Sequence, residues 1–333
     1  MSSCLTPPYL SQMPITGLGT GGYGHDPKVG YGGYPECWSD SAGCGAWTRN
    51  TTAAYIKIAA AASSTQIRID NADTYDDVDN VGSGIADSGV PRANIFLLTK
   101  TGSGMAMGFN DTMQQFEALL AAGGYSYVDA VLIHWPTSSA ASVEPACQVG
   151  KPSYNAKACR LATWAAYVEI FNSGRALSIG VSNYNATHLQ EIKDAGMPLP
   201  ALNQIPYNLY RSSSWEQTVA WCRDNGVTVN AYSPFGVPDV QKYPTSNGMS
   251  EVLLQDPVLA SIAAAHARTP AQVLSNWLWQ LGIPFNPRTM STAHMAENVN
   301  AFDFALTGSE VAQLSSRPQD WCTIDPKWYE CAP

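Results

Sequence analysis

Val128-Asp129-Ala130-Val131-Leu132-Ile133-His134-Trp135-Pro136 is a short, nearly continuous apolar run that stops at a histidine. Runs of this length and character suit a strand covered on both faces, as in a parallel sheet. Upstream, a helical pattern over Thr112 to Ala122 separates it from a second run, Ile95-Phe96-Leu97-Leu98-Thr99, which ends at Lys100. Downstream, a helical pattern over Ala162 to Phe171 leads to a third run ending near Val181. The same alternation extends both ways, with strand ends expected near Gly19, Asp70, Thr99, His134, Val181, Gln204, Tyr232 and Pro287. Further helical stretches are expected at Thr51 to Ala62, at Trp215 to Asp224, and at Pro270 to Gln280 with Thr269 as N-cap. Parallel strands need helical crossovers, and eight such units in series favour a closed (β/α)8 barrel over an open doubly wound sheet. No linker, charge block or low-complexity tract divides the chain, so residues 1–333 read as one domain.

Composition limits the functions available. With 45% hydrophobic and 14% charged residues and no apolar stretch long enough for a bilayer, the chain has the profile of a globular protein. Met1 to Pro14 show neither a basic start nor an apolar core, so no signal peptide is visible. A net charge of -9 without a basic run argues against nucleic acid and anionic membranes as partners. Any anionic ligand then needs a locally placed cation. No metal site is expected, and a monomer is expected.

Gly17, Gly19 and Gly22 spell G-x-G-x-x-G, the dinucleotide fingerprint of open α/β sheets. That motif requires a helix to open directly behind it, so that the helix N-terminus meets the pyrophosphate. Here Tyr23-Gly24-His25-Asp26-Pro27 follows, with further glycines up to Pro35, which cannot be helical. The fingerprint is a coincidence of a glycine-rich strand end.

In a (β/α)8 barrel the reacting groups gather at the C-terminal ends of strands. Asp70 ends one strand and Tyr75 follows it by five residues, while Lys100 and His134 close two others. Each residue alone has an ordinary structural explanation. Together they resemble the catalytic tetrad of the aldo-keto reductases, and the resemblance runs along nearly the whole chain. It is carried by Gly17-Leu18-Gly19-Thr20, Asp70 to Tyr75, Leu132 to Pro136, Ile179-Gly180-Val181-Ser182-Asn183-Tyr184, Leu202-Asn203-Gln204, Ala231-Tyr232-Ser233-Pro234, Thr269 to Val273 and Glu297-Asn298.

The resemblance implies reduction of an aldehyde or ketone with NADPH/NADP+ as cofactor and a small-molecule carbonyl compound as substrate. Tyr75 would be the proton donor in reduction and the base in oxidation. A free tyrosine, with a pKa of ~10, holds its proton too tightly for efficient acid catalysis near neutrality. An ammonium from Lys100 beside the phenol would favour the tyrosinate, with Asp70 holding that ammonium in place. His134 would orient the carbonyl oxygen. Ser182, Asn183 and Gln204 would hydrogen-bond the nicotinamide and Tyr232 would stack on its ring, Ser233, Phe235 and Gly236 would lie along the pyrophosphate, and Thr20 would be a further cofactor contact. Arg288, Thr289, His294, Glu297 and Asn298 would grip the adenosine half. Where relatives carry Lys-Ser and then Arg, this chain has Arg288-Thr289 and His294. A planar guanidinium suits a 2'-phosphate, whereas an ordinary histidine is mostly neutral near pH 7.

The substrate side departs from the family. Gly21-Gly22-Tyr23 stands where many members have a pocket tryptophan, and Val78 stands where a glutamate is frequent. A glycine-rich insertion over residues 23–50 brings Tyr23, Trp38 and Trp47, which with Trp135 are candidates for the pocket wall. Residues 316–333 would form a C-terminal substrate loop. Six of the eight cysteines fall into close pairs, Cys37 with Cys44, Cys147 with Cys159 and Cys322 with Cys331, either as short-range disulfides or as reduced loop thiols. The disulfide reading favours a secretory or other oxidising compartment, with the cytoplasm as alternative. Cys222 reads as a buried thiol.

Two other functions fit parts of this sequence. A cofactor-binding regulatory or structural subunit on the same barrel would keep the cofactor residues without needing the acid. A glycosidase could pair Asp70 with Asp73, but its two carboxylates normally come from separate strand ends.

Overall fold

The computed structural model describes residues 13–21, 41–62, 67–102, 105–137, 140–236 and 249–316. Its strands are β1 (Gly17–Gly19), β2 (Ile67–Asp70), β3 (Ile95–Thr101), β4 (Ala130–Ile133), β5 (Ile179–Ser182), β6 (Leu202–Pro206), β7 (Thr228–Tyr232) and β8 (Phe285–Asn286). They form one parallel sheet in sequence order, β1 to β8. Contacts between Thr16 and Phe285, and a 3.0 Å hydrogen bond from the Gly19 amide to the Pro287 carbonyl, bring the last strand back to the first. The expected (β/α)8 barrel is therefore the fold, and every strand ends within two residues of its expected position.

Alternation along the strands sorts the side chains. Ile67, Ile69, Ile95, Leu97, Val131, Ile133, Ile179 and Val181 join the large core between the strands and the surrounding helices. Phe96, Leu98, Ala130, Leu132 and Leu202 face the other way and fill the barrel with Met13. Asp70 and Lys100 continue that inward set at the open end. The strands are buried on both faces, which is why their sequences read as unbroken apolar runs.

The helices α1 (Ser41–Ala62), α2 (Val78–Ser88), α3 (Phe109–Gly123), α4 (Ala156–Asn172), α5 (Ala186–Asp194) and α6 (Ser213–Asp224) follow successive strands. After β7 come α7 (Met249–Leu254), α8 (Pro257–Ala265) and α9 (Pro270–Gln280), and after β8 come α10 (Thr292–Val299) and α11 (Gly308–Ser315). Helix α9 starts as its sequence indicates, with Thr269 and Gln272 capping each other and Pro270 in the first turn.

Helix α1 departs from expectation. It begins at Ser41, so residues 41–50, read as the end of an insertion loop, are helical. Gly43 and Gly45 suggested a loop, but propensity is a weak signal against packing. Gly84 of α2 lets α1 come close enough that a Cβ there would lie 2.6 Å from the Arg49 carbonyl. An Arg49–Asp87 ion pair joins the same two helices, with Nη2 donating to Oδ1 at 2.9 Å. Val78 is core: it is 7% exposed at the start of α2, and its carbonyl accepts from the Tyr125 hydroxyl at 3.1 Å.

Candidate active site

Three neighbouring strands build the site. Asp70 is the last residue of β2, Lys100 lies in the last turn of pleat of β3, and His134 follows β4, its amide held by the Thr101 carbonyl at 2.8 Å. Tyr75 closes a short 3-10 turn over Asp73–Tyr75, and Asp76 behind it takes a left-handed backbone (φ 55°) that turns the chain back toward α2. These local turns bring residues 70, 75, 100 and 134 together at one mouth.

The Lys100 ammonium is the hub. It donates to Asp70 Oδ1 at 2.5 Å, to the Asn71 carbonyl at 3.0 Å and to Tyr75 Oη at 3.4 Å. Burial works against its charge, but Asp70 and Tyr75 outweigh burial and hold its pKa above the ordinary lysine value. The Tyr75 ring meets the His134 ring edge-on at 5.6 Å, and His134 Nδ1 lies 3.5 Å from Thr74 Oγ1. Burial, with Lys100 adding to it, pushes the His134 pKa well below the usual imidazole value, so the ring is neutral.

Tyr75 corrects one expectation. The Lys100 ammonium does favour the tyrosinate, but burial of the phenol is the larger effect, and the Tyr75 pKa lies above 10 rather than below it. Asp73, next to it in the turn, is pushed up to about 7, chiefly by burial. Asp70 cannot pair with Asp73 as a glycosidase dyad would, because Lys100 holds one Asp70 oxygen and Gln204 Nε2 donates to the other at 2.6 Å.

A row of polar side chains crosses the strand ends from there. Ser182 Oγ donates to the Gln204 carbonyl at 2.9 Å. Asn183 Nδ2 donates to Ser182 Oγ at 3.2 Å and to the His134 carbonyl at 2.9 Å, and the Tyr232 hydroxyl donates to Asn183 Oδ1 at 2.9 Å. Asn183 and Ser233 both have left-handed backbones, φ 61° and 49°, which asparagine tolerates better than most residues. Phe235 packs against the core, and Gly236 ends the described part of that loop. Thr20 is fully buried, and its hydroxyl accepts from Asn71 Nδ2 at 2.8 Å.

The segment after β8 is more open. Arg288 Nη1 donates to the Gly21 carbonyl at 2.6 Å, and Thr289 is buried with its hydroxyl accepting from the Ser291 amide at 3.1 Å. His294, Glu297 and Asn298 lie on α10; His294 is exposed and Asn298 is buried. Glu297 accepts from the Thr269 hydroxyl at 3.3 Å, which ties α10 to the start of α9. Trp135 is half-buried and stacks on His134 with ring centres 6.4 Å apart.

Tyr23, Trp38, Cys37, Cys322, Cys331 and the 317–333 tail lie outside the described residues. Trp47 and Cys44 lie within α1. Cys147 and Cys159 form a disulfide that fastens the loop after β4 to the first turn of α4. Cys222 is a buried free thiol, pushed up to about 12 by burial. Among the described residues no helix is long and apolar enough to cross a membrane.

Sequence reasoning missed Asn71 and Asp77. Asn71 Nδ2 also donates to Asp77 Oδ1, at 2.6 Å, so these two residues with Thr20 brace the turn that carries Tyr75. The adjacency of Asn71 to Asp70 was the available signal.

A barrel of this topology, with an acid, a phenol, an ammonium and an imidazole converging at one mouth, belongs among the (β/α)8 oxidoreductases. The model of the aldo/keto reductase family matches residues 36–317, and the chain belongs to that family, whose members are oxidoreductases acting on carbonyl compounds. It is 33% identical over 272 residues to the morphine 6-dehydrogenase of Pseudomonas putida, spanning 82% of this chain and 85% of that protein. It is 29% identical over 253 residues to the glyoxal reductase of Bacillus subtilis, spanning 76% and 79%. Among solved structures, an aldo-keto reductase of Bombyx mori in complex with NADP superposes with a TM-score of 0.72 at 28% identity, covering 92% of this chain and 90% of that one.

Proposed function

We propose that this chain reduces an aldehyde or ketone to an alcohol with NADPH, using Tyr75 as the general acid. One observation carries the reading: the Lys100 ammonium touches both Asp70 and the Tyr75 hydroxyl within a buried cluster beside a neutral His134. The residues present fit a nicotinamide cofactor. Hydroxyl and amide groups of Ser182, Asn183 and Gln204 lie in one connected row beside the cluster, an aromatic ring stands at Tyr232, and a guanidinium follows β8 at Arg288. When bound, the cofactor supplies the hydride for the carbonyl carbon.

The protein's own groups handle the oxygen. Neutral His134 donates an N–H to the carbonyl oxygen and fixes its direction. Tyr75 passes its proton to that oxygen as negative charge develops, and the tyrosinate left behind faces Lys100, whose ammonium stabilises it. Tyr75 then recovers a proton from solvent. In the reverse direction the tyrosinate takes the alcohol proton. Thr20, Ser233, Phe235, Gly236, Thr289, His294, Glu297 and Asn298 complete the cofactor groove in this reading, and Trp135 lines the substrate side.

Consumption of NADPH absorbance with a panel of aldehydes and ketones tests the proposal. Turnover is expected, and NADPH binding without turnover of any carbonyl compound would leave a cofactor-binding subunit instead. We place the enzyme in an oxidising compartment, as a monomer; the Cys147–Cys159 bridge supports the location. Peptide mapping without reduction is expected to recover residues 147 and 159 cross-linked, and alkylation of both thiols in native enzyme returns the assignment to the cytoplasm.

A further inference from the structure

Besides Asp70 and Tyr75, the Lys100 ammonium has a third neighbour, the carbonyl of Asn71 at 3.0 Å. Asn71 is fully buried, one residue beyond the end of β2. Its amide continues the pairing of β2 with β3 by donating to the Leu98 carbonyl at 2.9 Å, while its carbonyl receives the ammonium. The side chain reaches in two other directions. Nδ2 donates to Thr20 Oγ1 at 2.8 Å and to Asp77 Oδ1 at 2.6 Å, and both partners are buried.

Each partner governs one side of the phenol. Asp77 stands two residues after Tyr75, so its bond to Asn71 closes the short turn that presents the phenol, including the left-handed Asp76. Thr20 follows β1, with its amide held by the Asp70 carbonyl at 2.9 Å. Next comes Gly21, where a Cβ would stand 3.0 Å from Tyr75 Cζ, so the backbone at this position backs the phenol ring. Asn71 thus touches the ammonium, closes the turn and anchors what lies behind the ring.

A primary amide suits this position. Two N–H groups on one nitrogen can serve two acceptors at once, whereas a serine or threonine hydroxyl has one hydrogen and a carboxylate has none. We propose that Asn71 is a positioning residue of the reaction: its carbonyl and its amide hydrogens together set the separation between the Lys100 ammonium and the Tyr75 hydroxyl, which is 3.4 Å. This rests on Tyr75 being the acid. Tyr75 releases its proton as charge builds on the phenolate beside the ammonium, so displacing either group raises the barrier to that step more than it weakens binding. A misplacement of about 1 Å can cost roughly 10²-fold in rate.

The test is hydride transfer at saturating NADPH and carbonyl substrate in Asn71→Leu, which loses both ties, and in Asp77→Leu, which loses one; either one that folds suffices. The rate is expected to fall roughly 10- to 100-fold in Asn71→Leu and about tenfold in Asp77→Leu, with substrate KM and NADPH affinity within about fivefold of wild type. Asp77→Asn, which keeps an oxygen facing Asn71, is expected to stay within about threefold of the wild-type rate. A purely structural role would lower resistance to urea and leave the rate per NADPH-binding site unchanged. A folded leucine variant at the wild-type rate, a loss confined to KM or NADPH affinity, or Asp77→Asn as slow as the leucine variants overturns the proposal. Tyr75→Phe is run alongside: full activity there refutes the mechanism, whereas a dead Tyr75→Phe beside a wild-type rate in Asn71→Leu refutes only the role of Asn71.

Discussion

The two ends of the proposed cofactor groove are built differently. At the mouth of β2, β3 and β4, polar atoms are buried and bonded to one another: Lys100 to Asp70, Asn71 and Tyr75, and Gln204 to Asp70. After β8, the charged and polar groups are more open and tied to backbone or to a neighbouring helix: Arg288 to the Gly21 carbonyl, Glu297 to the Thr269 hydroxyl, with His294 exposed. A cluster that does chemistry must be preorganised before the substrate arrives, because reorganisation during the reaction would add to the barrier. A segment that grips a phosphate only has to present a cation that can exchange a weak protein contact for a strong one. The first end should therefore govern rate and the second affinity.

Tyr75→Phe tests that division hardest. In the proposed mechanism it removes the proton donor and little else, so reduction is expected to fall roughly 10²- to 10⁴-fold in single-turnover stopped flow. NADPH affinity by fluorescence titration is expected to stay within about threefold. A comparable loss of affinity would mean that the two ends are not separate.

Arg288→Ala is the mirror experiment, with a smaller effect. Losing one charge-assisted contact to a phosphate costs about 1.5 to 3 kcal/mol, so NADPH should bind roughly 10- to 100-fold more weakly. NADH, which lacks the 2'-phosphate, should be nearly unaffected, and the hydride-transfer rate at saturation should hold. Equal weakening of both cofactors would show that Arg288 supports the loop through Gly21 rather than reading the phosphate.

The same contrast explains what was legible in the sequence. The barrel was readable because its strands are buried on both faces and end at distinctive polar residues, so Asp70, Lys100 and His134 could be placed from pattern alone. The start of α1 was not, because Gly84 and Asp87 on another helix favour it, and such packing leaves no local trace. Nor was the electrostatic state of the cluster. Sequence pairs Lys100 with Tyr75 and suggests an acidic phenol, but the depth of burial that opposes this is a property of the assembled barrel. The raised carboxyl at Asp73 was invisible for the same reason: the residue type does not announce desolvation.

Asp73 gives the smallest effect and a direct measure of how closed the chemical end is. Burial raises its pKa in the folded chain to about 7, although the Thr74 and Gly102 amides and Lys100 oppose the shift. An unfolded aspartate titrates near 4, so between about pH 4 and 7 the unfolded chain releases a proton that the folded chain keeps. The contribution of this group to stability is thus fully present below about pH 4 and is lost as pH rises through 7. Asp73→Asn removes that loss. By urea denaturation the variant should match wild type near pH 4 and exceed it at pH 8 by about 1 to 2 kcal/mol, less than the full shift implies because the nearby amides and Lys100 relax around the charge. Arg288→Ala, at the open end, should leave the slope of stability against pH unchanged. If Asp73→Asn shows the wild-type slope, water reaches the Asp73 carboxylate, and the chemical end of the groove is no more closed than the segment after β8.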